Sequence, residues 1–370
     1  MLKKSILSLS LSLGLLSAQT VLAGELTPAG VIKELDLRES TQAARDMPGW
    51  SKPKKIVALA DTPQRLAWLQ EAVPGVEVVG ASGWREAMGL VGDADAIVGL
   101  CAPPLIEAAK VVKWVHIGSA GINECANAPK LLAGGVLVTN MQRVYGPPMS
   151  EHVIALAFAL ARNFRYFEDL QEKSEWNQTA LVPERFTELG GKTMLVVGLG
   201  GIGTDIAKRA HALGMRVIAT RNSSREKPDY VEYVGLADEL MTLVPQADFI
   251  ANAAPLTAQT QGIFNAGFFA KMKPSAFFIN VGRGQQVVQP DLIVALEKKV
   301  IAGAAIDVAD PEPLPKDHPL WKAPNLIITP HTSSFSERRF ERFWVVLREN
   351  MRRYAAGEKM LSVVDVKRGY

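Results

Sequence analysis

The sequence predicts an α/β protein built from two doubly wound domains, each with a parallel sheet. Two observations carry this prediction: the chain has 370 residues, and it contains two series of short apolar runs separated by mixed segments. A single hydrophobic core seldom grows beyond about 250 residues, so a chain of this length is expected to form two. The formal net charge of +3 is spread along the chain, which favours small-molecule partners over nucleic acid.

The first 23 residues have the three regions of a secretory signal peptide. Lys3 and Lys4 precede an apolar run, residues 6–16, and small residues lead to an expected cleavage after Ala23. The run is too short to cross the ~30 Å hydrocarbon layer of a membrane. We therefore expect a periplasmic or secreted protein that has no membrane segment after processing. A frayed N-terminal helix is the alternative, and an unprocessed chain would be cytoplasmic.

The first apolar series predicts the first domain, residues 24–149. Runs that are apolar on both faces are typical of parallel strands covered by helices on either side. The predicted strands are 54–60, 76–80, 96–100, 114–117 and 136–140.

A proline pair separates the two series. Pro147 and Pro148 are incompatible with a helix interior, so we expect the following helix to start at Ser150 and to run to about Phe167. The second domain is predicted at residues 150–336. Its strands are expected to begin at residue 193 and to continue at 217–220, 249–253, 276–281, 302–308 and 326–329.

The C-terminal segment, residues 337–356, has the periodicity of a helix and is rich in arginine. We expect most of these charges on a solvated face, and we expect residues 337–370 to complete the first domain. The arginines are Arg338, Arg339, Arg342, Arg348, Arg352 and Arg353.

Cys101 and Cys125 are the two cysteines of the chain. In an oxidising compartment they allow one disulfide. We favour two buried free thiols, because Cys101 follows a strand-like run and a buried cysteine behaves as a small hydrophobic residue.

A glycine-rich motif joins the first strand of the second series to a helix. Residues 194–197 form a buried-strand pattern that leads into Gly198-Leu199-Gly200-Gly201-Ile202-Gly203. The first glycine permits a tight turn, the second lets the backbone approach a pyrophosphate, and the third lets helix and strand pack closely. The motif predicts a Rossmann domain that holds NAD or NADP at a helix N-terminus. The expected contacts are Gly198, Gly200, Gly201, Ile202 and Gly203.

The end of the next strand favours NADP over NAD. An acidic residue about 20 positions beyond the motif usually holds the ribose hydroxyls of NAD. Here the chain has Arg221, Asn222 and Ser223, with Arg225 close by. An arginine at this position can pair with a 2′-phosphate, so these residues are predicted cofactor contacts. Stacking of Arg221 on the adenine is the alternative.

Three later segments carry polar residues at predicted strand ends, where ligands bind in open α/β sheets. They are residues 279–284, residues 305–308 continuing into 311–313, and residues 329–331. These segments resemble the D-isomer-specific 2-hydroxyacid dehydrogenase family, which includes glyoxylate and hydroxypyruvate reductases and phosphoglycerate dehydrogenases. The resemblance extends from about Lys54 to the C-terminus. Its most specific parts are 271–274, 280–284, 310–315, 318–321 and Pro330-His331.

The resemblance implies a catalytic set. By position, the substrate-binding arginine is Arg283, its carboxylate partner is Glu312 and the acid/base histidine is His331. These residue types suit the reaction, because a 2-oxo acid needs a cation for its carboxylate and a proton donor at its carbonyl oxygen. A neighbouring carboxylate such as Glu312 favours the protonated form of a histidine.

Further roles follow from the same resemblance. Asp307 corresponds to the residue that holds the nicotinamide amide, and the backbone of Ser119, Ala120 and Gly121 corresponds to the loop that receives the substrate carboxylate. His152 matches a domain-junction motif and is expected to be structural. Three further histidines are also assigned to structure, and no metal site is predicted: the histidines are His116, His211 and His318.

Two segments depart from the family pattern. Residues 287–289 read Val-Val-Gln where an acidic pair is usual, which affects the start of a helix more than the chemistry. Residues 332–336 read Thr-Ser-Ser-Phe-Ser in the loop after the histidine, which leaves the identity of the substrate open.

The sequence therefore predicts a reductase of a small 2-oxo acid, with a homodimer implied by the family. Oxidation of a D-2-hydroxy acid by the same site is a second possibility. A catalytically silent nucleotide-sensing protein is the alternative from another class, although a sensor has no need of an acid/base pair. Export poses a supply problem, because free nicotinamide dinucleotides are expected to be scarce outside the cytoplasm.

Overall fold

The computed structural model describes residues 26–125, 127–177 and 186–369. The predicted leader lies outside these residues. The described part begins with helix α1 (Pro28–Glu34) and strand β1 (Glu39–Ala43), followed by a 3-10 turn at Ala44–Asp46.

The first large sheet has five parallel strands. They are β2 (Lys55–Leu59), β3 (Glu77–Ala81), β4 (Ala96–Val98), β5 (Trp114–His116) and β6 (Leu137–Thr139). Their spatial order is β3-β2-β4-β5-β6, so the strand order reverses between β2 and β4. The helices between them are α2 (Pro63–Gln70), α3 (Trp84–Ala87), α4 (Pro103–Ala108) and α5 (Pro129–Leu132).

Two helices, α6 (Gly146–Ala161) and α7 (Phe164–Glu172), lead to the second sheet. The predicted start of α6 at Ser150 is wrong by four residues. Pro147 and Pro148 lie in its first turn, where no backbone N–H is needed. The helix also ends before the expected Phe167, because Asn163 adopts the left-handed conformation at φ 55°.

The second sheet has seven parallel strands in the order β13-β12-β11-β10-β7-β8-β9. The strands are β7 (Thr193–Val197), β8 (Arg216–Thr220), β9 (Tyr233–Gly235), β10 (Phe249–Asn252), β11 (Phe277–Asn280), β12 (Gly303–Ile306) and β13 (Leu326–Ile328). The helices are α8 (Gly201–Ala212), α9 (Leu240–Leu243), α10 (Ala266–Phe269) and α11 (Gln289–Glu297), with 3-10 turns at Ala237–Glu239, Val244–Gln246, Gly284–Gln286 and Pro319–Lys322. The strand order reverses between β7 and β10, which is where dinucleotides bind in such sheets.

Both sheets confirm the predicted α/β class. Their central strands are buried on both faces, as the unbroken apolar runs indicated. Apolar side chains of α6 and α8 belong to one core cluster that extends over one face of both sheets, and separate clusters cover the opposite faces. In the part of the chain that the structure describes, no helix has the length and apolar character needed to cross a membrane.

The C-terminal segment returns to the first sheet. Helix α12 (Arg339–Ala356) ends at Gly357 with φ 70°, and β14 (Lys359–Leu361) then pairs with β1 in antiparallel register. The N–H of Val364 donates to the carbonyl of Val138 at 2.9 Å. These contacts are those expected of a segment that completes the first domain. The exact domain limits stay a prediction.

Most of the arginines of this segment were expected to face solvent, and two of the six do not. The side chain of Arg342 is 7% exposed and lies 2.6 Å from Glu34, and that of Arg353 is 11% exposed and lies 2.7 Å from both Glu39 and Glu349. Helix α12 packs on α1 and β14, so part of its arginine-rich surface is buried. The buried arginines are neutralised by the carboxylates of Glu34, Glu39 and Glu349.

The expectation of two free thiols is also wrong, because Cys101 and Cys125 form a disulfide. Cys101 follows β4 and Cys125 lies in the loop after β5. These strands are neighbours in the sheet, which brings the two Cα atoms to 5.8 Å, within disulfide range. Sequence separation alone gave no sign of this proximity.

Candidate active site

A cleft of about 480 Å³ lies at the carboxyl ends of the two sheets. Of the predicted site residues, it is bordered by Ser119, Ala120, Gly121, Gly198, Gly200, Gly201, Ile202, Arg221, Asn222, Ser223, Arg283 and His331. Gly203, Asp307 and Glu312 stand behind this lining. The structure thus brings residues from distant parts of the sequence to one cavity.

The glycine motif has the geometry that a dinucleotide requires. Gly198 has φ +91°, and a Cβ on it would lie 2.6 Å from the Cα of Ala254 on the neighbouring strand end. A Cβ at Gly200 would meet no protein atom within 4 Å, so that space is open to a ligand. Gly203 faces the carbonyl of Gly198, and the 12-residue helix α8 starts at Gly201. The residues present fit the pyrophosphate of NAD(P).

Arg221 is the cation at the expected position of a 2′-phosphate. It follows β8 and its Nη1 donates to the carbonyl of Glu226 at 3.0 Å, a contact with no opposing charge. Arg225, expected close by, is instead paired with Glu239 at 2.7 Å and donates to the hydroxyl of Tyr233 at 3.0 Å. Of the two arginines, Arg221 is therefore the one without a carboxylate partner among the contacts described, and its contact with a 2′-phosphate stays a prediction.

Arg143 was missed by the sequence interpretation and lies beside the glycine motif. A Cβ at Gly201 would lie 2.7 Å from its Cγ, and its Nη1 pairs with Asp36 at 3.0 Å. Burial lowers the pKa of Arg143, and the charge of Asp36 opposes this effect. The proline-rich neighbourhood of Arg143 gave no signal for this placement.

Arg283 is fixed by a network of buried amides. Asn252 Nδ2 donates to Asn280 Oδ1 and to Gln286 Oε1, both at 2.8 Å. Gln286 Oε1 also accepts from the backbone N–H of Arg283 at 2.8 Å, and Asn280 Nδ2 donates to the Arg283 carbonyl at 3.2 Å. All three amide side chains are buried. Because a buried amide that loses its partners is costly, this network holds the loop in one conformation.

The guanidinium of Arg283 meets the loop from the first sheet. Its Nη1 donates to the Gly282 carbonyl at 2.8 Å, and a Cβ at Gly121 would lie 2.6 Å from its Nη2. Burial lowers the pKa of Arg283, while the charges of Glu124 and Glu312 oppose that shift. A partly desolvated cation thus lies next to the backbone of the predicted carboxylate-binding loop.

His331 and Glu312 are hydrogen-bonded, with 2.7 Å between Nδ1 and Oε2. Oε1 of Glu312 accepts from the backbone N–H of Ala309 at 3.0 Å, which fixes the carboxylate. The histidine side chain is 48% exposed, and the residue lies on the cleft. With Nδ1 held by Glu312, Nε2 is left for a ligand in the cleft.

Asp307 holds the loop that carries His331. The residue is 1% exposed, and its Oδ1 accepts from Thr329 Oγ1 at 2.6 Å and from the N–H of Thr332 at 2.9 Å. Its Oδ2 accepts from the N–H of Ser333 at 3.0 Å. The nearby His152 places Nε2 3.0 Å from the Thr329 hydroxyl, and burial lowers its pKa. The contact of Asp307 with a nicotinamide amide stays a prediction.

The other side of the cleft contains residues to which the sequence interpretation gave no role in the site; Arg339, among them, was expected on a solvated face. Tyr145 donates its hydroxyl to the Gly118 carbonyl at 2.6 Å, and Asn123 Nδ2 donates across the cleft to the Leu256 carbonyl at 3.0 Å. Glu124 and Arg339 border the same cavity. None of the four belongs to a recognisable motif, since their roles depend on which loops meet.

The cleft is bordered by two walls. The Arg283 wall comprises Arg283, His331 and the loops that fix them, residues 280–286, 307–312 and 329–333. The Ser119 wall comprises residues 118–124 together with Tyr145 and Arg339.

The three histidines assigned to structure lie outside the cleft lining. His116 is fully buried at the end of β5, with Nδ1 2.7 Å from Thr139 Oγ1, and burial lowers its pKa to about 3. His211 is exposed on α8, and His318 accepts the N–H of Leu320 at its Nδ1.

Comparison with known proteins gives the chain a family context. A family model described as the NAD-binding domain of D-isomer-specific 2-hydroxyacid dehydrogenases matches residues 154–333. A glyoxylate reductase from Korarchaeum cryptofilum is 31% identical over 309 residues, which is 80% of this chain and 88% of that protein. Glyoxylate/hydroxypyruvate reductase B from Citrobacter koseri is 34% identical over 256 residues, 69% of this chain and 77% of the relative.

Solved structures agree in fold. An NADPH-dependent glyoxylate/hydroxypyruvate reductase from Sinorhizobium meliloti, in complex with NADP and sulfate, is 29% identical with a TM-score of 0.72. That match covers 85% of this chain and 99% of the other. A D-isomer-specific 2-hydroxyacid dehydrogenase from Xanthobacter autotrophicus, in complex with NADPH and MES, is 28% identical with a TM-score of 0.73, covering 86% and 100%.

Proposed function

We propose that this chain, which belongs to the D-isomer-specific 2-hydroxyacid dehydrogenase family, reduces a small 2-oxo acid to its D-2-hydroxy acid and prefers NADPH. The chain is an NAD(P)-dependent enzyme of that family, and the substrate class and cofactor preference are the proposal. One observation carries it: the half-buried Arg283 and the Glu312–His331 pair, 2.7 Å between partners, meet at the cleft that the glycine motif borders. Relatives named glyoxylate or hydroxypyruvate reductases support the substrate size.

The cofactor, when bound, supplies a hydride to the carbonyl carbon. The open space at Gly200 and the N-terminus of α8 would hold its pyrophosphate, and Arg221 would hold a 2′-phosphate. Everything else in the reaction is supplied by side chains and backbone of the chain itself.

Substrate binding requires a partner for the carboxylate. Arg283 supplies a positive charge at the cleft, and its partial burial strengthens that interaction because water screens it less. Gly121 lies against the guanidinium, and Ser119 and Ala120 border the same cleft, so the carboxylate is expected between this loop and Arg283. The carboxylate then fixes which face of the adjacent carbonyl is turned toward the nicotinamide.

His331 is the proposed proton donor. Reduction adds a hydride to carbon and one proton to the carbonyl oxygen, so a general acid must stand at that oxygen. Glu312 holds Nδ1 of His331 and leaves Nε2 to give up the proton. Glu312 acts through the histidine, and Asp307 fixes the loop on which the histidine lies.

Turnover by the purified full chain tests the function. NADPH and NADH oxidation would be followed separately with glyoxylate, hydroxypyruvate, pyruvate and phenylpyruvate. His331→Ala should lower kcat by about 10²- to 10⁴-fold, the usual value of general acid catalysis, with cofactor affinity unchanged. His211→Ala, on the exposed surface of α8, is the matched control and should keep full activity. Cofactor binding without turnover of any 2-oxo acid would favour the nucleotide-sensing alternative.

The preference for NADPH over NADH is tested by a separate variant, Arg221→Asp. Arg221→Asp places an acid where NAD enzymes hold the ribose hydroxyls, and it should move the ratio of kcat/KM values from NADPH toward NADH. A parent enzyme that prefers NADH would overturn the NADP preference and leave the reductase function intact.

Export and dimer formation are parts of the same proposal. The Cys101–Cys125 disulfide supports export, because disulfides persist in oxidising compartments. N-terminal sequencing of the protein from its own host should find Gly24 first, whereas Met1 in the cytoplasmic fraction would contradict export. Sedimentation of the purified chain should give the mass of a homodimer rather than 40.1 kDa.

A further inference from the structure

The loop that departs from the family pattern leads to a second cation at the cleft. Residues 332–336 follow His331, and three residues later α12 begins at Arg339. Arg339 borders the same cavity as Arg283 and His331, but on the Ser119 wall. It plays no part in the mechanism described above.

Aromatic rings hold the guanidinium of Arg339. Its central carbon lies 4.5 Å from the ring centre of Phe335, 5.1 Å from that of Phe340 and 5.4 Å from that of Tyr145. Cation–π contacts of this kind fix a charge without neutralising it. The arrangement keeps the guanidinium at the cleft.

Arg339 differs from the arginines beside it. Arg338 and Arg342 both pair with Glu34, at 3.2 and 2.6 Å. Over residues 26–125, 127–177 and 186–369, no carboxylate lies within ion-pair distance of Arg339. Glu124 is the acidic residue of the cleft lining. It is exposed, and its negative charge raises the pKa of Arg283, against the effect of burial. Arg339 is thus a cation at the cleft that no carboxylate of the described residues neutralises.

We propose that the substrate is a 2-oxo acid with a second carboxylate, which Arg339 binds while Arg283 binds the carboxylate next to the carbonyl. Arginine suits this task, because its planar guanidinium donates two parallel hydrogen bonds to a carboxylate. Tyr145 and Met149, which also border the cleft, offer apolar surface for the carbons between the two charged ends. This inference rests on the proposed function and narrows its substrate class.

Two five-carbon acids provide the test with the full chain and NADPH. 2-Oxoglutarate has a distal carboxylate and 2-oxopentanoate lacks it. Wild-type kcat/KM should be at least about tenfold higher for 2-oxoglutarate, since a charge-assisted hydrogen bond contributes that much or more. Arg339→Met should lower kcat/KM for 2-oxoglutarate by roughly 10- to 100-fold through KM, and should change the value for 2-oxopentanoate by less than about threefold.

Two matched variants control the result. Arg338→Met removes an equal charge from the neighbouring residue, which pairs with Glu34, and should leave both substrates unchanged. Glu124→Gln removes the negative charge of the lining and should increase the preference for 2-oxoglutarate. Glutarate should also inhibit glyoxylate reduction by the wild type more strongly than pentanoate, a measurement that needs no variant.

The outcomes separate the two proposals. The role of Arg339 would be overturned if Arg339→Met lowered kcat/KM equally for 2-oxoglutarate and 2-oxopentanoate. It would also be overturned if the wild type had equal kcat/KM values for both acids and was inhibited equally by glutarate and pentanoate. Either result would leave the reductase function standing. Reduction of glyoxylate without reduction of either five-carbon acid would overturn the role of Arg339 too. No turnover of any 2-oxo acid would overturn both.

Discussion

The Arg283 wall and the Ser119 wall of the cleft are held in place by different means. The Arg283 wall is fixed by a dense set of buried hydrogen bonds, most of them inside its own loops: the amides around Gln286, joined by Asn252 of β10, and the carboxylate of Asp307. The Ser119 wall has the internal hydrogen bond from Tyr145 to Gly118, and it is also linked to other parts of the chain by the Cys101–Cys125 disulfide and by the contact of Asn123 with Leu256.

In the proposed mechanism this difference separates chemistry from selectivity. A proton donor and a carboxylate-binding cation must be positioned closely, and dense local hydrogen bonds achieve that. The Ser119 wall, which would contact the remainder of the substrate, can vary in sequence as long as its loop is tethered. Substitutions in the Arg283 wall should therefore lower kcat, whereas substitutions in the Ser119 wall should affect stability and KM.

Removal of the disulfide should have the largest effect on stability. Cys101→Ser combined with Cys125→Ser opens a link across 24 residues and should lower the free energy of unfolding by about 3 kcal/mol in urea titrations. Because the Ser119 wall loses its covalent tether, the KM for the 2-oxo acid should rise while kcat changes little. Reductant should reproduce the loss in the parent and have no effect on the double variant. If reductant left the free energy of unfolding of the parent protein unchanged, the stabilising role of the disulfide would be refuted.

Asp307→Asn should have the next largest effect. An amide in place of this carboxylate turns a donor toward backbone N–H groups, so the His331 loop should shift and kcat should fall about 100-fold, the usual cost of a small misplacement. This corresponds to about 2.7 kcal/mol of activation free energy. Asp317→Asn, an exposed loop carboxylate, serves as the control. A raised KM for NADPH with normal kcat would instead favour the predicted contact of Asp307 with the nicotinamide.

Gly121→Ala tests the place where the two walls meet. The added methyl carbon would lie 2.6 Å from Nη2 of Arg283, so the guanidinium must move away from the carboxylate-binding loop. Overpacking of this kind costs about 1–3 kcal/mol, and we expect the KM for 2-oxo acids to rise about tenfold. Gly92→Ala, whose Cβ would meet no atom within 4 Å, should leave KM unchanged. An unchanged KM in the first variant would mean that the walls do not meet in the substrate complex.

His116, buried at the base of the Ser119 wall, should give the smallest effect, a dependence of stability on pH. Burial lowers its folded-state pKa to about 3, below the unfolded value of about 6.5. The folded state therefore binds fewer protons, and stability that is present above pH 6.5 is lost as the pH falls toward 3. Between pH 6.5 and 5.5 the loss should be about 1 kcal/mol. His116→Gln should lose less stability than the parent over this interval, and parallel curves would refute the assignment.

The strands of the two parallel sheets, except β9, were predictable from local patterns, and so was the choice of candidate site residues. Continuous apolar runs predicted both parallel sheets, because strands buried on two faces need such runs. The glycine motif could be interpreted because its glycines are required by the local backbone geometry. At Gly198, for example, φ is +91°, which residues other than glycine rarely adopt. Arg283, Glu312 and His331 were found through a resemblance whose motifs are short and contiguous. Their meeting at one cleft follows from the common edge at which parallel strands end.

The remaining features depend on contacts between distant segments. The pairing of Cys101 with Cys125 depends on β4 and β5 being neighbours, and the burial of Arg342 depends on α12 packing against α1. The apolar pattern that specifies a strand does not state which strand lies beside it. The sequence by itself thus determined the two sheets, the nucleotide motif and the residue types of the site. Only the tertiary structure decided that Tyr145, Glu124 and Arg339 share a wall, because a cleft is formed where loops from separate sheets meet.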